Sequence, residues 1–157
     1  MLPAERGVFA GARCSTKPGR IQPVAIVEVL DGLPPLRLAP SDAAEVVMRI
    51  QLQPDDVERL VASGVNVVVL DLRGLCTSHI RPSMRLLRLL VSNLRVVAVT
   101  DAGDDAAAQM AIAAGAIAHL SRDTCPLRLL RAVHAASRGT PHLGETGQRA
   151  VARLTGC

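Results

Sequence analysis

VNVVVLDL, Val65–Leu72, is a run of β-branched and aliphatic residues that ends on a carboxylate, Asp71, and one more leucine. A strand with one wet face would alternate apolar and polar residues. This one does not, so it reads as a central strand of a parallel sheet covered on both faces. Toward the C-terminus the same texture recurs in RVVAVT (Arg95–Thr100) and in the shorter IAHLS (Ile117–Ser121). Helical stretches separate these strands: a leucine-rich Ser83–Leu94, an alanine-rich Asp104–Ala114 closed by Gly115, and an amphipathic Pro126–Ser137. ETGQRAVARL (Glu145–Leu154) predicts one more helix in the tail.

Toward the N-terminus, PDDVERLVASG (Pro54–Gly64) carries a proline and two aspartates in its first turn, apolar residues at helical spacing, and a glycine stop. EVVMRIQL (Glu45–Leu52) predicts a strand, and VAIVEVL (Val24–Leu30) a buried one. Asp31-Gly32 and Pro34-Pro35 break the latter, with a short helix expected before Pro40. Strands and helices thus alternate about five times. That predicts an α/β domain with a doubly wound, mostly parallel five-stranded sheet and helices on both faces.

The 157 residues suit one domain, read as a flexible leader at 1–22, a folded body at 23–140 and a C-terminal tail or truncated linker at 141–157. Phe9 is the single aromatic residue, which excludes stacking platforms for single-stranded nucleic acid. The net charge is +4, with Lys17 the one lysine, a mild surplus that permits an acidic partner without requiring one. Arg81, Arg85 and Arg88 recur at helical spacing, with Arg128, Arg131 and Arg138 further on. They are read as solvated faces, and the leucines around them as core. No apolar run approaches the ~20 residues that span a bilayer, so no membrane partner is expected. Cys14, Cys76, Cys125 and Cys157 form no C-x-x-C pair and lie at no zinc spacing from His79, His119, His134 or His142. Four reduced thiols in a cytoplasmic protein are expected. The glycine in TDAGDD lacks phosphate-loop spacing and a following lysine, which argues against nucleotide binding.

In an open parallel sheet, chemistry gathers at the carboxyl ends of the strands. There the sequence offers Glu28-Val29, Asp71, Thr100 and Ser121-Arg122. A carboxylate, a hydroxyl and a cation on successive strands could handle a phosphoryl group. The carboxylate would be the nucleophile, the cation would neutralise equatorial oxygens, and the hydroxyl would convert the chemistry into a switch.

With VNVVVLDLR, RVVAVTDAGDDAAAQMAIAAGAIAHLSRD and LRLLRAVHAASRGTPHL in hand, the chain resembles the receiver domain of two-component response regulators, of the LuxR-type subfamily. The resemblance runs from about Val24 to Leu143. It implies a flavodoxin-like fold and a part in phosphorelay signalling and transcription regulation, by association rather than turnover. It places Asp71 on the phospho-acceptor, Thr100 on the switch hydroxyl, His119 on the switch aromatic and Arg122 on the essential lysine. It also implies Mg²⁺, held by Glu28, Asp71 and the backbone carbonyl of Arg73. Its implied partners are a histidine kinase or other signalling protein, with a homodimer as one assembly open to it.

The departures from that pattern are specific. Val29 stands where the family has a second metal-binding acid, Asp31 lies two residues beyond it, and LRGLCTSHIRP lacks the usual Met-Pro and following Gly. Arg122 offers a planar fork in place of a compact ammonium. The chain also ends where the subfamily would begin its helix-turn-helix half, so direct DNA binding is not expected. The alternative to phosphotransfer is a receiver-like module in which Thr100–Ala106 and Ser121–Leu130 form a docking face. VVVLDLRGL also resembles the STAS domain of anti-sigma-factor antagonists. Ser78 and Ser83, however, do not sit in that family's phosphoserine context.

Overall fold

The computed structural model describes residues 21–121 and 125–156. Six strands are present among them: β1 (Gln22–Glu28), β2 (Ala44–Gln51), β3 (Val67–Asp71), β4 (Arg95–Thr100), β5 (Ala118–Ser121) and β6 (His142–Leu143). They form one parallel sheet in the order β2-β1-β3-β4-β5-β6. Five helices accompany it: α1 (Pro54–Ser63), α2 (Thr77–Leu90), α3 (Asp105–Ala113), α4 (Pro126–Ser137) and α5 (Glu145–Leu154). The chain reverses its winding between β1 and β3, so Glu28 and Asp71 end as cross-strand partners at the switch point.

The uninterrupted apolar runs are explained by two core layers, one on each face. On the first face Ala25, Val27, Val68, Leu70, Val96 and Ala98 meet Leu60 of α1, Ile80, Met84 and Leu87 of α2, and Ala107 and Ala111 of α3. On the second face Val24, Ile26, Val67, Val69, Val97 and Val99 meet Leu129, Ala132, Val133 and Ala136 of α4. Each valine, leucine, isoleucine or methionine side chain so buried contributes about 1.5–3 kcal/mol.

Four expectations need correction. No helix forms before Pro40. Residues 29–43 cross the second face as an irregular strap that buries Leu36. Pro34, Pro35 and Pro40 each fix φ, remove an amide donor and bias the preceding residue away from the helical region. Helix α2 begins at Thr77 rather than Ser83 and ends at Leu90 rather than Leu94. Pro82 sits inside it, where the carbonyl left without a helical donor belongs to Ser78, an exposed residue that water can reach. Asn93, in the left-handed region at φ 54°, turns the chain away after it. The sheet has six strands, not five, because His142 and Leu143 add an edge to β5. The leucines of α2 are not all core: Leu87 is buried, whereas Leu86, Leu89 and Leu90 are exposed.

Among the described residues no helix is long and apolar enough to cross a membrane. Cys76 and Cys125 are free and exposed. Cys14 and Cys157 lie outside the described residues, as does the leader up to residue 20.

Candidate functional site

Asp71 closes β3 with a carboxylate that is 2% exposed. A buried charge of this kind needs a partner, and the chain supplies one two residues later. The Arg73 guanidinium folds back so that Nε donates to Asp71 Oδ1 at 2.8 Å and Nη2 to Oδ2 at 2.7 Å. The Arg73 backbone amide donates to the same Oδ1 at 3.2 Å, and Nη2 also donates to the Pro34 carbonyl in the strap at 2.6 Å. Both carboxylate oxygens are therefore engaged by one planar cation, the geometry for which arginine is suited. The hydrogen bond to Asp71 holds the guanidinium pKa above its ordinary value. The charges of Asp71, Asp101 and Glu28 add to that, and burial opposes it.

The neighbouring acids are also occupied. Glu28 Oε1 accepts from Gln51 Nε2 at 3.0 Å, and Asp101 Oδ2 accepts from the Gly74 amide at 2.7 Å. Gly74 has φ 75°, which lets the loop after β3 turn back toward Asp101. Val29 packs against the first core layer. Asp31 is exposed in the strap.

Thr100 and His119 form a second buried polar pair, with Thr100 Oγ1 and His119 Nε2 2.7 Å apart. His119 Nδ1 has no partner. A lone-pair nitrogen without a donor costs less than an orphaned N–H, so we assign the proton to Nε2, donating to Thr100 Oγ1. Burial pushes the imidazole pKa down from 6.5 to about 4, so the ring is neutral at pH 7.

Strand alternation separates these pairs. Asp71 continues the Val67, Val69 series of the second layer, and Thr100 continues the Val96, Ala98 series of the first. The fold thus brings Asp71 to Glu28 and Arg73, and Thr100 to His119, but projects Asp71 and Thr100 from opposite faces. Thr100 is fully buried, which corrects its place on an exposed docking face. Asp105, inside that segment, is bridged to Arg149 at 3.1 Å and Arg153 at 3.3 Å on α5. Arg122 lies outside the described residues. Sequence reading assigned Arg73 only a carbonyl, and its side chain is the residue it missed. An acid and an arginine two apart across a strand end was the available signal.

A receiver-type Mg²⁺ would draw on Glu28, Asp71 and the Arg73 carbonyl. These residues do not fit one: both Asp71 oxygens face a guanidinium, whose charge opposes a dication, and Val29 offers no side-chain oxygen. Among the described residues no group of three His, Cys, Asp or Glu gathers to hold a metal.

No family model and no curated protein matches the chain. Solved structures do. An RcsB structure, of two dimers bound to two parallel DNAs, is 12% identical with a TM-score of 0.60, over 87% of this chain and 70% of that one. The isolated REC domain of RcsB from Salmonella enterica serovar Typhimurium, in its apo form, is 14% identical with a TM-score of 0.57. That match covers 83% of this chain and 98% of that one. The response regulator ChrA of a heme-sensing two-component system is 19% identical with a TM-score of 0.53, over 87% of this chain and 66% of that one. The resemblance to STAS domains is set aside by this topology. At such identities the likeness speaks to architecture alone: the chain has the flavodoxin-like fold of a response-regulator receiver domain.

Proposed function

We propose that this protein is a receiver-fold signalling module that acts through association with other proteins and does not take up a phosphoryl group on Asp71. One observation carries the reading: the bidentate Arg73–Asp71 pair, which uses the lone pairs that a nucleophilic carboxylate would turn toward a phosphodonor. Two others support it. Thr100 faces away from Asp71, and the acids at the strand ends do not suit the dication that neutralises a phosphoryl group. The partner class is a signalling protein, as the fold suggests. Binding would use the surface as it stands rather than one remodelled by phosphorylation.

The test is intact mass after incubation with acetyl phosphate and Mg²⁺, wild type beside Asp71→Asn. Neither protein is expected to change mass. A gain of about 80 Da, one phosphate, in the wild type alone would sink the proposal.

A further inference from the structure

Between α1 and α2 the first face opens into an apolar groove of about 810 Å³, lined by Leu52, Pro54, Val57, Val61, Leu86 and Leu90. Val61, Leu86 and Leu90 are each more than 40% exposed, and Leu89, one helical step beyond, is 73% exposed. A contiguous exposed apolar strip of this kind marks an interaction site.

The charges on its two rims identify the partner. Helix α1 contributes Asp55, Asp56 and Glu58, with Arg59 paired to Asp56 at 3.1 Å, so Asp55 and Glu58 remain as its net charge. Glu58 itself lines the groove. Helix α2 contains no acid and carries Arg81, Arg85 and Arg88. Arg88 turns toward the Gly115 carbonyl at 3.3 Å, which leaves Arg81 and Arg85 for the outer rim beyond Leu89.

An acidic ligand would match one rim and be repelled by the other, and a basic ligand would meet the reverse. A surface with an acidic edge, an apolar middle and a basic edge is complementary to itself under a two-fold rotation. We infer that a second copy of this chain occupies the groove, forming a two-fold dimer. In it Leu86, Leu89 and Leu90 pack across the axis, and Glu58 of each copy faces Arg85 of the other. The inference names one partner for the association proposed above. It rests on the α1–α2 surface and not on the state of Asp71.

Sedimentation equilibrium on the whole chain tests it, with wild type, Asp71→Asn, Leu90→Glu, Glu58→Arg, Arg85→Glu and the double charge swap. All altered positions but Asp71 are exposed, and circular dichroism checks that each variant is folded. Wild type and Asp71→Asn are expected to dimerise alike. Leu90→Glu should weaken the dimer about 10-fold or more, as loss of a central apolar anchor does. Each single charge change should also weaken it, and the double swap should restore it, which a general loss of structure would not do. A wild type that stays monomeric up to about 100 μM overturns the inference and assigns the groove to another occupant. A dimer that ignores both Leu90→Glu and the charge changes overturns it equally, because the contact then lies elsewhere.

Discussion

Asp71 and Arg73 are both nearly inaccessible to water, and each is the other's principal counter-charge. In such a pair the attraction is largely offset by the cost of dehydrating both ions. Breaking it, however, leaves one charge stranded. Arg73→Met should therefore destabilise the protein by about 3–5 kcal/mol in urea unfolding. Asp71→Leu combined with Arg73→Met should recover most of that loss, because neither ion is then left alone. A double variant as unstable as the sum of the two singles would show that the residues do not act as a pair. Asp71 and Thr100 could be picked out in the sequence because strand ends are marked by the last apolar residue, whereas His119, inside its strand, was marked only by the resemblance to receiver domains. For Arg73 the spacing from Asp71 was the one sign, and the Pro34 carbonyl that also holds its guanidinium left none, because it is brought there by a strap 39 residues away in sequence.

At the scale of elements, α5 shows how a short helix is held. Ten residues are too few for a helix to persist alone in water, where about 12–15 are needed even for good formers. Packing supplies the difference. Ala150 is fully buried, Gly147 lies so close that a Cβ there would be 3.2 Å from Leu143 Cβ and 3.5 Å from His119 Cβ, and Arg149 and Arg153 reach Asp105. The two guanidiniums hold the Asp105 carboxyl below its ordinary range, the hydrogen bond from Arg149 foremost. Ala150→Asp should undock α5 and melt it. Amide exchange in 145–154 would then approach that of an unstructured peptide, and exchange in α3 would quicken as its cover leaves. Unchanged protection in α5 would contradict this account of its stability. The bounds of α4 and α5 were legible in sequence because Pro126 and Gly144 punctuate them. Those of α2 were not, since Pro82 imitates a helix start, and two residues are too few for β6 to show any periodicity.

For the whole molecule, the buried imidazole links stability to acidity. In the unfolded chain His119 takes up a proton as pH falls through about 6.5, whereas in the folded protein it does so only near 4. Between those values the unfolded state holds the extra proton, so acidification favours unfolding. The full contribution is present above pH 6.5 and is lost on the way down to 4. At about 1.4 kcal/mol per pH unit the loss is on the order of 3 kcal/mol. Urea midpoints at pH 7.5, 6 and 5 should fall in step for the wild type. The fall should be much shallower in His119→Gln, which keeps a partner for Thr100 but cannot titrate. Equal slopes would remove His119 as the cause.

The strap has a consequence in the stoichiometry of donors and acceptors. Every residue of an ordinary chain brings one backbone donor and one acceptor, but Pro34, Pro35 and Pro40 bring acceptors only, so the segment carries a surplus of carbonyls. The groups that absorb a surplus of carbonyls are those that donate and never accept, and arginine is the richest of them. The Pro34 carbonyl accepts from Arg73 and the Leu36 carbonyl from Arg49. The cation beside Asp71 therefore completes two deficits at once, one of charge at a strand end and one of protons along a proline-rich crossing. Replacing it with lysine would restore the charge but lose the fork that serves both.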